Sequence, residues 1–283
     1  MALPDDFRAQ SRKRWDAQAT GWEARREALR SATMPVSAWM IDALDPQPGQ
    51  ALLELAGGTA DTGLLAAELL APTGEVILSD FSPEMLAAAR RRAEELGVAN
   101  VRFKQIDAET SIDVPAGSLD GVLCRWGYML MADPGNALRE TRRVLRPGGR
   151  LALAAWTGPD ENPWSSEPNR AVVAAGLAER SDPDAPGQFA WAQEGRLAAQ
   201  LDAAGFTEHH VERLAFSITY ASVEEWWASQ LDLSGGFGGA VRGASAAELA
   251  PVRDHLEEVA ARVAGPDGAV ALPAATWVAW ADA

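Results

Sequence analysis

The chain of 283 residues contains one cysteine, Cys124, and three histidines. A single thiol excludes an internal disulfide and a cysteine-based metal cluster. His209 and His210 are adjacent, so alternation along a strand sends them to opposite faces, and neither has metal-ligand spacing with His255. No metal site is expected, and no catalytic base is assigned. No apolar run approaches the ~20 residues of a membrane span. Residues 1–6 carry neither the basic nor the apolar region of a signal peptide, so a cytoplasmic protein is expected. Positive charge is also short: 25 Lys and Arg against 40 Asp and Glu leave a net charge of -15. That balance repels phosphate backbones and anionic lipid, which argues against nucleic acid and membrane surfaces as partners. Arg25-Arg26 and Arg90-Arg91-Arg92 fall within helical patterns and read as solvated helix faces. Cys124 ends the apolar run that begins at Leu119 and reads as a small core residue rather than a nucleophile.

What is present is periodicity. A helical section over 8–44, amphipathic around Trp15, Ala19 and Trp22, is ended by Asp45-Pro46-Gln47-Pro48-Gly49. Strand and helix patterns then alternate: strand 51–56, helix 61–71, strand 75–79, helix 83–97, strands 101–106 and 119–125, helix 135–145, strand 150–157. Such alternation predicts an α/β fold, a doubly wound, mostly parallel sheet with helices on both faces. Arg146-Pro147-Gly148-Gly149 reads as a helix stop and a tight entry into a strand. Beyond Trp156 the texture becomes rich in Pro, Asp, Ser and Glu, with a short helix near 169–179. A helix over 194–204, a strand over 208–219, a helix over 246–263 and a last strand over 274–281 follow. The boundaries read as a helical section over 1–48, a core over 49–157, and an insertion that continues the core sheet over 158–221. A helical insertion over 222–265 and a final core strand over 266–283 complete the chain.

The most informative stretch is Leu52-Leu53-Glu54-Leu55-Ala56-Gly57-Gly58-Thr59-Ala60-Asp61-Thr62-Gly63. A buried strand turns through small residues into a helix, leaving backbone bare where a ligand can approach. The dinucleotide pattern G-x-G-x-x-G fails in every register. Glu54 and Asp61 flank the bend, which suits a positively charged ligand better than a pyrophosphate.

Four stretches in order carry a family likeness: Leu53 to Thr59, Ser79-Asp80-Phe81-Ser82-Pro83-Glu84-Met85-Leu86, Gln105-Ile106-Asp107-Ala108-Glu109, and Arg143-Val144-Leu145-Arg146-Pro147-Gly148-Gly149-Arg150. Through them residues 50–155 resemble the class I S-adenosylmethionine-dependent methyltransferases, in the branch of the ubiquinone/menaquinone-biosynthesis-type enzymes. The departure is Ala56 and Ala60, where the family usually has glycine. The resemblance implies a Rossmann-like, seven-stranded sheet whose last strand is antiparallel and lies between the fifth and sixth, with N-terminal helices and a helical lid insertion. It implies S-adenosyl-L-methionine as cofactor and methyl transfer to a small molecule, an aromatic, quinone-like or secondary-metabolite scaffold. The alternative, raised by the two alanines, is a non-catalytic protein using this fold as a cofactor sensor or scaffold.

Site roles follow from the positions at strand ends. Glu54 answers the cofactor's ammonium, while Ala56, Gly57 and Gly58 form the close backbone approach. Asp80 accepts from the ribose hydroxyls, since Ser82 is the better cap for the helix begun by Pro83. Phe81 offers an adenine face; Met85 either does the same or is core. The match of Asp107-Ala108-Glu109 to the family motif implies that Asp107 and the Ala108 amide pair with the adenine edge; the alternative is a surface-turn aspartate. Arg125 pairs with the cofactor carboxylate, with an anionic substrate, or with surface acids. Trp126, Tyr128 and Met129 are expected to build the acceptor pocket under a lid from 222–265, with 234–239 as its glycine-rich hinge. Trp226-Trp227 either face that pocket or pack the helix, and Trp22 is a further candidate for closing over the methionine end. Trp156, Trp277 and Trp280 fall in strands and read as core. The oligomeric state is not legible.

Overall fold

The computed structural model describes residues 4–182 and 185–283. Residues 1–3, read above for targeting features, and Pro183-Asp184 in the acidic stretch lie outside the described residues. In chain order the elements are α1 (Pro4–Leu44), β1 (Ala51–Glu54), α2 (Asp61–Leu70), β2 (Glu75–Asp80), α3 (Pro83–Leu96), β3 (Val101–Gln105), β4 (Leu119–Arg125), α4 (Pro134–Val144) and β5 (Leu145–Trp156). They continue as α5 (Pro163–Ala174), α6 (Arg196–Ala204), β6 (Glu208–Tyr220), α7 (Val223–Leu233), α8 (Gly235–Val241), α9 (Ala246–Val263) and β7 (Val270–Asp282).

The sheet has seven strands in the order β3-β2-β1-β4-β5-β7-β6. β1 to β5 pair in parallel, and β7 is antiparallel to both β5 and β6. This is the doubly wound arrangement the resemblance implies, including the inserted last strand. The central strands are apolar because helices cover both their faces: Leu52, Leu53, Val76, Leu78, Val122, Leu123, Leu151 and Leu153 are buried. Strand order reverses between β1 and β4, which opens a crevice at their carboxyl ends. Glu54, Asp80, Arg125 and Trp156 all terminate strands there.

Local chemistry sets the helix starts. Ser82 caps α3 by accepting from the Met85 N–H at 3.2 Å, with Pro83 in the first turn. Asp133 caps α4 through Asn136 N–H at 2.9 Å, and Ser245 and Glu248 form a reciprocal capping box on α9.

Several elements differ from the sequence reading. The N-terminal section is one 41-residue helix with Pro35 inside it. β5 begins at Leu145 rather than 150, because Leu145 pairs with Leu119 before the register shifts to Gly121 and Arg150. α5 starts at Pro163, not near 169. Pro168 lies inside the helix, where its missing N–H frees the Trp164 carbonyl. That carbonyl instead accepts the Trp226 indole N–H at 2.8 Å and the Gln230 amide at 3.1 Å, which binds α5 to α7. The run 234–239 is not a hinge loop: it forms most of α8, capped by Ser234 and anchored by wholly buried Phe237. Trp226 and Trp227 are buried packing residues, Trp226 near Tyr220 and Trp227 edge-on to Phe237.

Candidate active site

The bend after β1 is stitched to β2. Gly57 N–H donates to the Ser79 carbonyl at 2.9 Å, and the Ser79 hydroxyl donates to the Glu54 carbonyl at 2.7 Å. Gly58 N–H donates to Asp80 Oδ2 at 2.9 Å, and Ser82 N–H to Asp80 Oδ1 at 2.8 Å. Asp80 therefore organises two loops before any ligand arrives, and each oxygen keeps acceptor capacity for a hydroxyl. Burial raises its pKa to about 6 against those backbone donors.

Glu54 is the most anomalous group in the molecule. Its side chain is 2% exposed, and Oε1 accepts from Gly63 N–H at 3.0 Å. Oε2 has no hydrogen-bond partner among the described residues. Burial pushes the carboxyl up to about 8, opposed by Arg125. A Cβ on Gly63 would lie 2.4 Å from that same Oε2, so glycine is what lets the helix pass. An unpaired buried acceptor costs roughly 1–3 kcal/mol.

Arg125, at the end of β4, is nearly buried and does not bridge surface acids. Its guanidinium donates to the hydroxyls of Thr33 and, at 3.0 Å, Ser37, both on α1, and lies 3.5 Å from buried Asp61 on α2. It also sits 5.0 Å from the Trp126 ring. Asp61 has a raised pKa because burial outweighs the Arg125 charge. The arginine thus ties two helices to the sheet at the border between two regions of one cavity.

That cavity has a volume of about 360 Å³. Glu54, Ala56, Gly57, Gly58, Asp80, Phe81, Asp107, Ala108, Arg125, Trp126 and Met129 all line it, so the structure brings together eleven of the thirteen residues singled out in the sequence. The other two are corrections. Met85, in the first turn of α3, is 1% exposed and belongs to the core. Tyr128 is equally buried, its hydroxyl shared with Thr141 at 2.6 Å and its ring 6.1 Å from Trp191. Asp107 holds its own turn through Glu109 N–H at 3.1 Å and lies 3.6 Å from Arg8 of α1.

Other lining residues carried no local signal. Trp156, read as core, stacks on Trp126 with centroids 4.1 Å apart and 9° between planes, and Trp164 packs against it at 5.0 Å. Tyr220, Ser229 and Gln230 face the same region from β6 and α7. α1 lines the cavity from Ser11 to Thr33 and contributes Trp15 and Trp22. The Trp22 indole donates to the Leu233 carbonyl at 3.3 Å, and Arg25 pairs with Asp232 at 2.7 Å. The helices cross closely at Gly21, where a Cβ would meet the Asp232 carbonyl oxygen at 2.2 Å. The histidines lie elsewhere: His209 near Asp202, His210 near Glu212, and His255 on Glu167 at 2.7 Å.

The chain's likeness to known proteins agrees with this architecture. A family model described as a methyltransferase domain matches residues 46–179. The match covers a little under half of the chain and marks residues 46–179 as a methyltransferase domain. The chain is 38% identical over 126 residues to the ubiquinone/menaquinone biosynthesis C-methyltransferase UbiE of Pasteurella multocida, covering 44% of this chain and 47% of that protein. The chain spans about half the length of the curated relatives it matches. Among solved structures, the YcgJ protein from Bacillus subtilis has a TM-score of 0.59 at 21% identity, covering 88% of this chain and 98% of that one. The cyclase SpnF has a TM-score of 0.53 at 14% identity, covering 95% and 96%. These two likenesses concern the fold. A cyclase among them makes plain that the methyltransferase fold alone does not assign a reaction.

Proposed function

We propose that the protein binds S-adenosylmethionine and transfers its methyl group to a small-molecule acceptor with an aromatic, quinone-like or secondary-metabolite scaffold. The observation that carries this reading is Glu54 Oε2, buried, unpaired and set against the glycine bend of the cavity. A cationic ammonium is the natural partner for such an oxygen, and a phosphate is the wrong one.

Asp80 accepts from the ribose hydroxyls with the lone pairs its backbone donors leave free. Asp107 and the Ala108 N–H pair with the adenine edge, beside Phe81. Arg125 takes the cofactor's carboxylate while remaining tied to Asp61 and α1. When bound, S-adenosylmethionine supplies a sulfonium methyl already activated for in-line displacement. The chain's own contribution is alignment and exclusion of water. α1 covers the cofactor, and the indoles of Trp126, Trp156 and Trp164 form a dry wall for the acceptor. Where the acceptor atom is an anion, water exclusion would favour the displacement, since opposite charges cancel as its bond to the methyl carbon forms and the carbon–sulfur bond breaks.

Calorimetric titration with S-adenosylmethionine and S-adenosylhomocysteine tests the reading. Saturable binding of both, weakened by Glu54→Gln, is the expected result. Absence of binding at millimolar ligand overturns it.

A further inference from the structure

Thr276 is wholly buried on β7, directly opposite Trp156 of β5 and among small or apolar neighbours. Packing alone would be met by valine, and a hydroxyl here is unfavourable unless its hydrogen bonds are made. They are made in a particular way. Oγ1 donates to the Ala155 carbonyl at 2.7 Å, the shorter of two carbonyl contacts, and accepts the Trp126 indole N–H at 3.0 Å. One hydroxyl therefore joins β5, β7 and the segment after β4.

The residue it holds is strained. Trp126 has φ +60°, a left-handed conformation that an L-residue with a side chain rarely adopts. Such outliers persist where their surroundings over-determine them, and they concentrate at functional sites. Trp126 is fixed at three points: its backbone N–H on the Ala154 carbonyl at 2.9 Å, its ring on Trp156, and its indole N–H on Thr276. With that N–H satisfied inside the sheet, the indole offers the cavity only apolar surface. Arg125 lies over the same ring, so the plate stands between the charged region of the cavity and its aromatic region.

We propose that Thr276 is a positioning residue that fixes the plane of the Trp126 indole and thereby sets acceptor affinity without touching the acceptor. The proposal rests on the methyl-transfer reading only in naming the aromatic region as the acceptor's. It commits to a flat, uncharged ring as the group that region takes.

The test uses the full chain and a defined probe, 2,3-dimethyl-1,4-naphthoquinone, whose blocked ring carbons cannot add a thiol. Affinity for the probe is measured on protein saturated with S-adenosylhomocysteine, and affinity for S-adenosylhomocysteine is measured separately by calorimetry. The expected outcome is that Thr276→Val weakens the probe about tenfold and Thr276→Ser by no more than about twofold, the size of one hydrogen bond lost and one kept. S-adenosylhomocysteine affinity stays within about twofold throughout. Trp126→Phe removes the same bond from its other end together with part of the plate, so it should weaken the probe at least as much as Thr276→Val. In the double variant the two effects should not add, because they break one interaction. Equal probe affinity in Thr276→Val and the parent protein overturns the proposal. So do additive effects in the double variant, an equal loss of both ligands, or a parent protein that takes S-adenosylhomocysteine but not the probe. A parent protein that does not bind S-adenosylhomocysteine overturns the methyl-transfer reading, and the acceptor assignment with it.

Discussion

The cavity region over β1 to β3 is built from backbone and acids, whereas the region over β5 and β6 is built from indoles and neutral polar groups. In the first, every important group comes from the few residues that end a strand, and the loops are already cross-linked through Asp80. In the second, the walls come from α1, β4, β5, α5, β6 and α7, segments separated by up to two hundred positions. The first region presents charge and backbone groups to the cavity, the second mostly apolar ring faces. Asp80→Ala should separate them most sharply. It strands the Gly58 and Ser82 N–H groups as well as the ribose hydroxyls, and should weaken S-adenosylhomocysteine by roughly 1–3 kcal/mol. Binding of a flat aromatic probe to the other region should persist. A loss of both ligands together would show that the regions are not independent.

Next in size is a pH effect confined to the acidic region. Burial raises Glu54 to about 8 and Asp80 to about 6. Raised carboxyls bind protons in the folded state that the unfolded chain has already lost. The stability tied to them is therefore full at pH below the ordinary carboxylate range and declines as pH rises through 6 and then 8. Between pH 6 and 8 the ligand-free protein should lose up to about 2 kcal/mol. Chemical unfolding at the two pH values measures it, and Glu54→Gln should flatten the difference. Because an ammonium needs the ionised carboxylate, S-adenosylhomocysteine should stabilise the protein more at pH 8 than at pH 6. The opposite order would remove Glu54 as the ammonium's partner.

The same contrast explains what the sequence disclosed. A parallel strand that ends in an acid and a run of small residues is a local signal, so Glu54 is legible from the chain alone; Asp80 is legible as the acid that ends the next strand, and Asp107 only with the family motif Asp107-Ala108-Glu109. The sheet order needed the family likeness, since alternation of strands and helices does not say which strands are neighbours. Side-chain direction just past a strand was not legible: Trp126 and Met129 face the cavity while Tyr128 between them turns into the core. Trp156 is core, as its strand pattern predicts, but it also lines the cavity, which a strand pattern does not disclose. Residues 234–239 were read as a hinge from composition, yet Ser234 supplies a cap and Phe237 an anchor sufficient to hold glycines in a helix.

A smaller effect should appear only on the aromatic side. Trp164→Ala removes an indole packed against Trp156 and held by Asn162 at 3.1 Å. Acceptor KM should rise about tenfold, near the ~1 kcal/mol an aromatic contact contributes beyond its buried area. The dissociation constant for S-adenosylhomocysteine should not move. A change in that constant instead would place Trp164 on the cofactor's side of the partition.

The smallest effect concerns the two alanines that replace the family's usual glycines. Both are left-handed, Ala56 at φ +50° and Ala60 at φ +63°. Relief of that conformation favours glycine by roughly 1–2 kcal/mol, and the looser unfolded chain takes back about 0.4–1 kcal/mol. The remaining term is burial. Ala60 is 1% exposed at the start of α2, so losing its methyl costs up to about 0.8 kcal/mol, whereas Ala56 is only half-buried at the cavity edge. Ala56→Gly should therefore stabilise the protein by about 0.5–1 kcal/mol, and Ala60→Gly should be close to neutral. Urea midpoints at unchanged slope distinguish the two. If Ala56→Gly destabilises instead, its methyl is packing against the segment at Gly127, and the bend owes its shape to that contact more than to its hydrogen bonds with β2.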